Sequence, residues 1–141
     1  MRIDIETTVR ASKDHVFECY TEPKHIVKWN FAEESWHCPS ASNDMRVGGI
    51  YEARMEARDG SMGFDLRATY TQIDPGTSFT YVLEDDREVS VRFEDLGDGT
   101  TKTMVSFDAE TQNDPELQRA GWQSILDRFA AYAASDESYS A

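Results

Sequence analysis

Apolar and polar residues alternate from the start of the chain. Ile3, Ile5, Thr7 and Val9 fall on one side of residues 2–9, and Arg2, Asp4, Glu6 and Thr8 on the other. A period of two predicts a half-buried strand, because successive strand side chains point to opposite faces. The period then lengthens, and Val16, Cys19 and Tyr20 share one side of a short helix. Ser12 precedes it and offers a hydroxyl acceptor to the free amides of the first turn. Thr21-Glu22-Pro23 restarts the chain, with proline placed early in a helix where a missing amide costs nothing. A second short helix is expected from about Pro23 to Lys28, delivering Trp29 near its end.

Beyond residue 30 the pattern is that of strands separated by turns. "VGGIYEARMEA" opens at a glycine pair and then puts Tyr51, Ala53, Met55 and Ala57 on one face. Asp59-Gly60 reads as a hairpin turn, since glycine accepts the positive φ that tight turns need. "GFDLRATYTQI" continues with Phe64, Leu66, Ala68 and Tyr70 in alternation, up to a turn at Asp74-Pro75-Gly76. "SFTYVLE", "EVSVRFEDL" and "TKTMVSFDAE" follow, divided by Asp85-Asp86 and by Gly97-Asp98-Gly99. The result is a long antiparallel meander.

The period changes for the last time at Asp114-Pro115, a helix cap followed by a favoured first helical residue. Leu117, Gly121, Trp122, Ile125, Leu126, Phe129 and Ala133 then recur at spacings of three and four, predicting an amphipathic helix of about five turns. "SDESYSA" closes the chain as a polar tail expected to fray. The expected fold is α+β: a curved antiparallel sheet of about six or seven strands wrapped on a long C-terminal helix, with two short helices after the first strand. One domain is expected over residues 1–135, with 136–141 as tail. The long helix alone can cover the sheet, and a strongly curved sheet gripping it leaves room for a pocket between them.

Composition narrows the function classes. The 141 residues carry 14 Lys and Arg against 27 Asp and Glu, a formal net charge of −13. Nucleic acid and anionic membrane surfaces bind through cationic side chains that release counterions, so neither is an expected partner. No apolar run approaches the length of a membrane span, and the N-terminus lacks the apolar core of a secretory signal. The two cysteines then read as free thiols in a reducing cytoplasm.

Three groups of residues complete a resemblance. Asp44, Arg46, Gly48 and Gly49 form D-x-R-x-G-G; Tyr70, Ile73, Asp74 and Pro75 form Y-x-x-I-D-P; Gly121 and Trp122 form the G-W of the last helix. In this order and spacing, over nearly the whole chain, they resemble the SRPBCC superfamily, the START and birch-pollen-allergen-like helix-grip fold. Within it they are similar to the group named activator of heat-shock-protein-90 ATPase homologue-like. The resemblance implies a cavity beneath the helix, where superfamily members bind lipids, hormones or polyketides and a few catalyse cyclisation or hydration. The group's name comes from eukaryotic co-chaperones with an additional N-terminal domain, which is not expected in these 141 residues, so the resemblance does not carry over a chaperone role.

Candidate chemistry is weighed against plain packing. Cys19, His25, His37 and Cys38 have the residue types of a zinc site. Zinc needs four converging ligands, however, and in an extended segment the adjacent His37 and Cys38 point to opposite faces. No metal and no cofactor are therefore expected. Neither cysteine sits in an elbow or beside an oxyanion-hole glycine motif, and free cysteines usually pack as small hydrophobes. Asp14 before His15 complements the helix dipole, which is reason enough for it. Arg46 reads as a structural or surface charge beside Asp44, and Gly48-Gly49 as a bulge or bend that lets the sheet curve.

The aromatic set has more content. Trp29, Trp36, Tyr51, Phe64, Tyr81, Phe93, Trp122 and Phe129, with Met55 and Leu126, are the residues expected to line the cavity. A mostly apolar space with a few polar aromatic tips is what ligand sites look like. The leading expectation is a binder of a small apolar or aromatic molecule. A hydrolase- or cyclase-type enzyme using the same cavity is the alternative, with His15, His37 and Glu56 as acid–base candidates and no catalytic residue assigned. A protein-interaction or chaperone-associated module, with a homodimer as the candidate assembly, is the third reading.

Overall fold

In a computed structural model that describes residues 1–135, strand β1 (Arg2–Val9) buries Ile3, Ile5 and Val9 and turns the residues between them outward. The Ser12 hydroxyl then caps α1 (Lys13–Thr21), accepting from the His15 amide at 3.3 Å. Glu22 separates α1 from α2 (Pro23–Trp29), which has proline at its first position as the sequence predicts. Six more strands follow: β2 (Trp36–Asn43), β3 (Ile50–Ala57), β4 (Gly63–Asp74), β5 (Ser78–Leu83), β6 (Glu88–Asp95) and β7 (Thr101–Asp108). Helix α3 (Pro115–Ser135) ends the described chain. Its 21 residues make nearly six turns at 3.6 residues each, slightly more than the periodicity suggests. The expected polar tail, 136–141, lies outside the described residues.

The strands form one antiparallel sheet in the order β1-β7-β6-β5-β4-β3-β2. Neighbours in sequence are neighbours in space except for β1, which closes the far edge against β7. The sheet curves into a half-barrel around α3, giving the helix-grip fold. Its irregularities are not at the glycine pair. The register shifts between His37 and Ser40 on β2, and between Tyr70 and Gln72 on β4. An extra residue on one strand bends it and increases its twist, which suits a sheet that must wrap a helix. Gly48 and Gly49 instead form a tight loop before β3 that hooks onto β4: the Gly48 amide donates to the Tyr70 carbonyl and the Tyr70 amide donates to the Gly49 carbonyl.

Helix α3 is held by side-chain donors along its flanks. Arg119 and Gln123 reach the carbonyls of Asp4 and Glu6 on edge strand β1, at 2.6 and 3.1 Å. On the other side, Ser124 donates to the Ala32 carbonyl and Arg128 to the Glu34 carboxylate. The two contacts to β1 occupy edge carbonyls that would otherwise be free to pair with another strand. Leu117, placed on the apolar stripe by spacing, is 67% exposed, so the packed face begins further along the helix. Among the described residues no helix is long and apolar enough to cross a membrane.

Candidate functional site

Alternation along the strands aims one face of each inward, and α3 lies across that face. Between helix and sheet is a cavity of about 180 Å³. Trp122, Ile125 and Leu126 of α3 form its roof, and Tyr51 and Met55 of β3 with Phe64, Leu66 and Tyr70 of β4 form much of its floor. Phe79 and Tyr81 of β5, Ile5 and Val105 continue the wall, and Tyr20, Trp29, Asn30 and Asn43 close it from the side of the short helices. None of these residues is Lys, Arg, His, Asp, Glu or Cys.

Seven of the ten expected lining residues are here: Trp29, Tyr51, Met55, Phe64, Tyr81, Trp122 and Leu126. Trp36, Phe93 and Phe129 are not. Phe93 and Phe129 are fully buried in the aromatic core behind the cavity. Phe93 packs edge-on against Phe17 and Tyr20, while Phe129 packs against Tyr20 and Trp29. Trp36 starts the edge strand β2 and rests against Phe64, with ring centroids 6.1 Å apart. Sequence reasoning missed the other nine lining residues: Ile5, Tyr20, Asn30, Asn43, Leu66, Tyr70, Phe79, Val105 and Ile125. Tyr70 was within reach, since it shares the face of Phe64, Leu66 and Ala68; the asparagines sit at element ends where alternation says nothing.

Hydrogen bonds fix the polar members. The Asn43 amide donates to the Thr21 carbonyl at 2.7 Å, and its carbonyl oxygen accepts from the Tyr70 hydroxyl at 2.7 Å. Asn30 donates to the Tyr51 hydroxyl at 3.2 Å, and the Trp29 indole donates to the Cys19 carbonyl at 2.9 Å. Burial holds Tyr70 protonated, pushing its phenol up to about 12 against the opposing pull of Asn43. Tyr20, Tyr51 and Tyr81 are likewise raised, first by burial and then by the neighbouring phenols. All four are neutral O–H groups at neutral pH.

The candidate acid–base groups lie elsewhere. His15 Nε2 is 3.0 Å from the Ala133 carbonyl oxygen and 3.4 Å from Cys19 Sγ, in the packing between α1 and α3. His37 stands 3.8 Å from Glu56 on paired strands β2 and β3, both partly exposed. His25 Nδ1 is 2.6 Å from the Tyr132 hydroxyl. Cys38, at the β2 bulge, donates to the Ser40 carbonyl, and burial pushes its thiol up. Among the described residues no three His, Cys, Asp or Glu side chains gather as a metal site requires. Arg46 pairs with Asp44 at 2.8 Å on the surface, clear of the cavity.

The comparisons with known proteins agree with this architecture. The family described as Activator of Hsp90 ATPase homolog 1-like protein matches residues 10–134. The solution structure of an AHSA1-like protein from Aeromonas hydrophila is 39% identical, with 94% of this chain and 91% of that chain covered and a TM-score of 0.87. Chr148 from Cytophaga hutchinsonii is 40% identical over 98% of this chain and 95% of that chain, with a TM-score of 0.82. The Aha1 dimer from Colwellia psychrerythraea shares the fold at a TM-score of 0.73, covering 97% of this chain and 98% of that one at 12% identity. No curated protein matches the chain significantly. From the match over residues 10–134 and the identity of these two relatives, the chain belongs to the Activator of Hsp90 ATPase homolog 1-like family.

Proposed function

We propose that this protein binds a small apolar or aromatic molecule in the cavity between α3 and the sheet. The observation that carries the reading is the lining: apolar and aromatic, with no charged side chain and only a few polar tips. Removing apolar ligand surface from water supplies the affinity, at about 25 cal/mol per Å². The volume sets the size class. About 180 Å³ exceeds the ~150 Å³ that admits benzene and is smaller than the ~300 Å³ at which drug-sized pockets begin. A compact molecule of one or two rings fits; a lipid or a large polyketide would require the walls to part.

The enzyme alternative is weaker on the same observation, because His15, His37 and Glu56 are not among the lining residues. Thermal denaturation with one- and two-ring aromatic compounds tests the proposal, since a ligand that binds only the folded state raises its stability by mass action. The expected result is a rise of several degrees at saturating ligand. That rise should vanish in Leu66→Trp, which places an indole in the cavity wall. No shift with any ring compound, or a shift that survives a folded Leu66→Trp protein, would overturn it.

A further inference from the structure

The cavity is not uniform along its length. Met55 pairs with Phe64 at one end of the β3–β4 ladder, Tyr51 pairs with Ala68 further along, and Tyr70 pairs with Tyr81 on β5. Met55 lies four positions along β3 from Tyr51, about 13 Å of strand. The Met55 end carries Phe64, which is 50% exposed, and half-buried Leu66. The opposite end gathers the phenols of Tyr20, Tyr51, Tyr70 and Tyr81.

A hydrogen-bond account of that end leaves donors over. Tyr70 gives its proton to Asn43. The Tyr51 oxygen accepts from Asn30, so its own proton is uncommitted. Among the described residues no protein acceptor meets the hydroxyls of Tyr20 or Tyr81, and both side chains line the cavity. Neither oxygen is among the sealed polar atoms without a partner, which in the described residues are Thr103 Oγ1 and Arg128 Nε, so both hydroxyls face the open space of the cavity they line. An acceptor entering this end would complete several of them at once.

We infer that the ligand is a neutral ring compound with a carbonyl-type oxygen at one end, received by the hydroxyls of Tyr20, Tyr51 and Tyr81, its hydrocarbon end lying toward Phe64 and Leu66. This rests on the cavity reading above. Neutrality follows from the lining. An anion buried there would face no Lys, Arg or His, and a cation would face no carboxylate. The phenols themselves stay protonated, so they act as donors and not as a counter-charge.

The test compares 2-acetylnaphthalene with 2-isopropylnaphthalene, nearly equal in shape and differing in the acceptor, and with 2-naphthoate, in equilibrium titrations. The ketone should bind roughly tenfold tighter than the hydrocarbon, the scale of one or two net hydrogen bonds, and tighter than the naphthoate. In Tyr20→Phe combined with Tyr81→Phe the ketone should lose most of its advantage over the hydrocarbon, with only the Tyr51 hydroxyl left to donate. These variants delete hydroxyls that bond no protein group, and Tyr81→Phe alone gives the same direction should the pair fold poorly. The carbonyl ¹³C resonance of labelled ketone should move downfield on the native protein and much less on the variants. Equal binding of ketone and hydrocarbon, or a ketone affinity indifferent to the Phe substitutions, would overturn the acceptor assignment and leave the cavity reading standing. Tighter naphthoate binding would overturn neutrality, and binding of none of the three would overturn both readings.

Discussion

Tyr51 and Tyr81 show how a single side chain carries both packing and a pH limit. Their rings are 5.7 Å apart in the cavity wall, and burial raises both phenols well above the usual tyrosine range, with nearby phenols adding to the effect. A phenol harder to ionise in the folded state than in the unfolded one favours folding fully below the unfolded pKa of about 10. That contribution is lost as pH rises above 10 toward the folded values. The protein should therefore hold its melting temperature up to about pH 10 and lose it beyond. Phenolate absorbance should rise in two stages, with the buried tyrosines titrating only as circular dichroism reports unfolding. Complete phenolate formation in a folded protein would show that water reaches these hydroxyls. Tyr51 and Tyr81 are visible in the sequence as inward strand positions. Their convergence with Tyr20 is not, because that depends on where α1 crosses the sheet.

The loop between β2 and β3 makes the same point for an element. Its glycine pair reads from sequence as a bend, and the structure separates the two roles. Gly48 has φ of +85° with nothing near a would-be Cβ, whereas a Cβ on Gly49 would lie 2.2 Å from the Asp44 carbonyl oxygen. Alanine at 48 should cost about 1 kcal/mol, the price of a left-handed backbone. Alanine at 49 should cost more, about 2 kcal/mol or above, because only backbone can yield. It should also disturb the cavity, since the Gly49 carbonyl accepts from the Tyr70 amide. Urea denaturation of the two variants checks the order, and equal losses would refute the division of roles. Secondary structure was legible because periods of two and 3.6, caps and turn residues are local signals. Cavity lining was legible only in part. Alternation tells inside from outside, and so it found Tyr51, Met55 and Tyr81. It does not tell which inner layer a residue joins, so Phe93 and Phe129 pass for lining although α1 and α2 cover them with Phe17, Tyr20 and Trp29. Trp36 fails for another reason: on an edge strand the inward face runs out of sheet.

At the scale of the whole molecule, charge acts against the fold that the core builds. The 27 acidic residues outnumber the 14 basic ones, so nearly half of the carboxylates cannot each have a cation of their own. The ion pairs among the described residues are on the surface, as at Arg46–Asp44 or Arg67–Glu52, where such pairs contribute little. Repulsion among the surplus carboxylates is longer in range than these contacts and favours the expanded chain. Salt should discriminate between the two. From about 0.01 M to about 0.1 M sodium chloride the screening length falls from about 30 Å to about 10 Å, which removes repulsion between distant charges before it weakens touching pairs. The melting temperature should rise by a few degrees over that range, and by the same amount in potassium chloride, since screening depends on ionic strength and not on the cation. A fall would mean that local pairs such as Arg2 with Asp108 and Glu88, which fasten β1 to its neighbours, outweigh the net charge. Titration of the uncharged ketone should show no comparable dependence on salt, because no charged side chain lines its cavity. A fold that tightens with salt around a site indifferent to it would separate the energetics of the surface from those of binding.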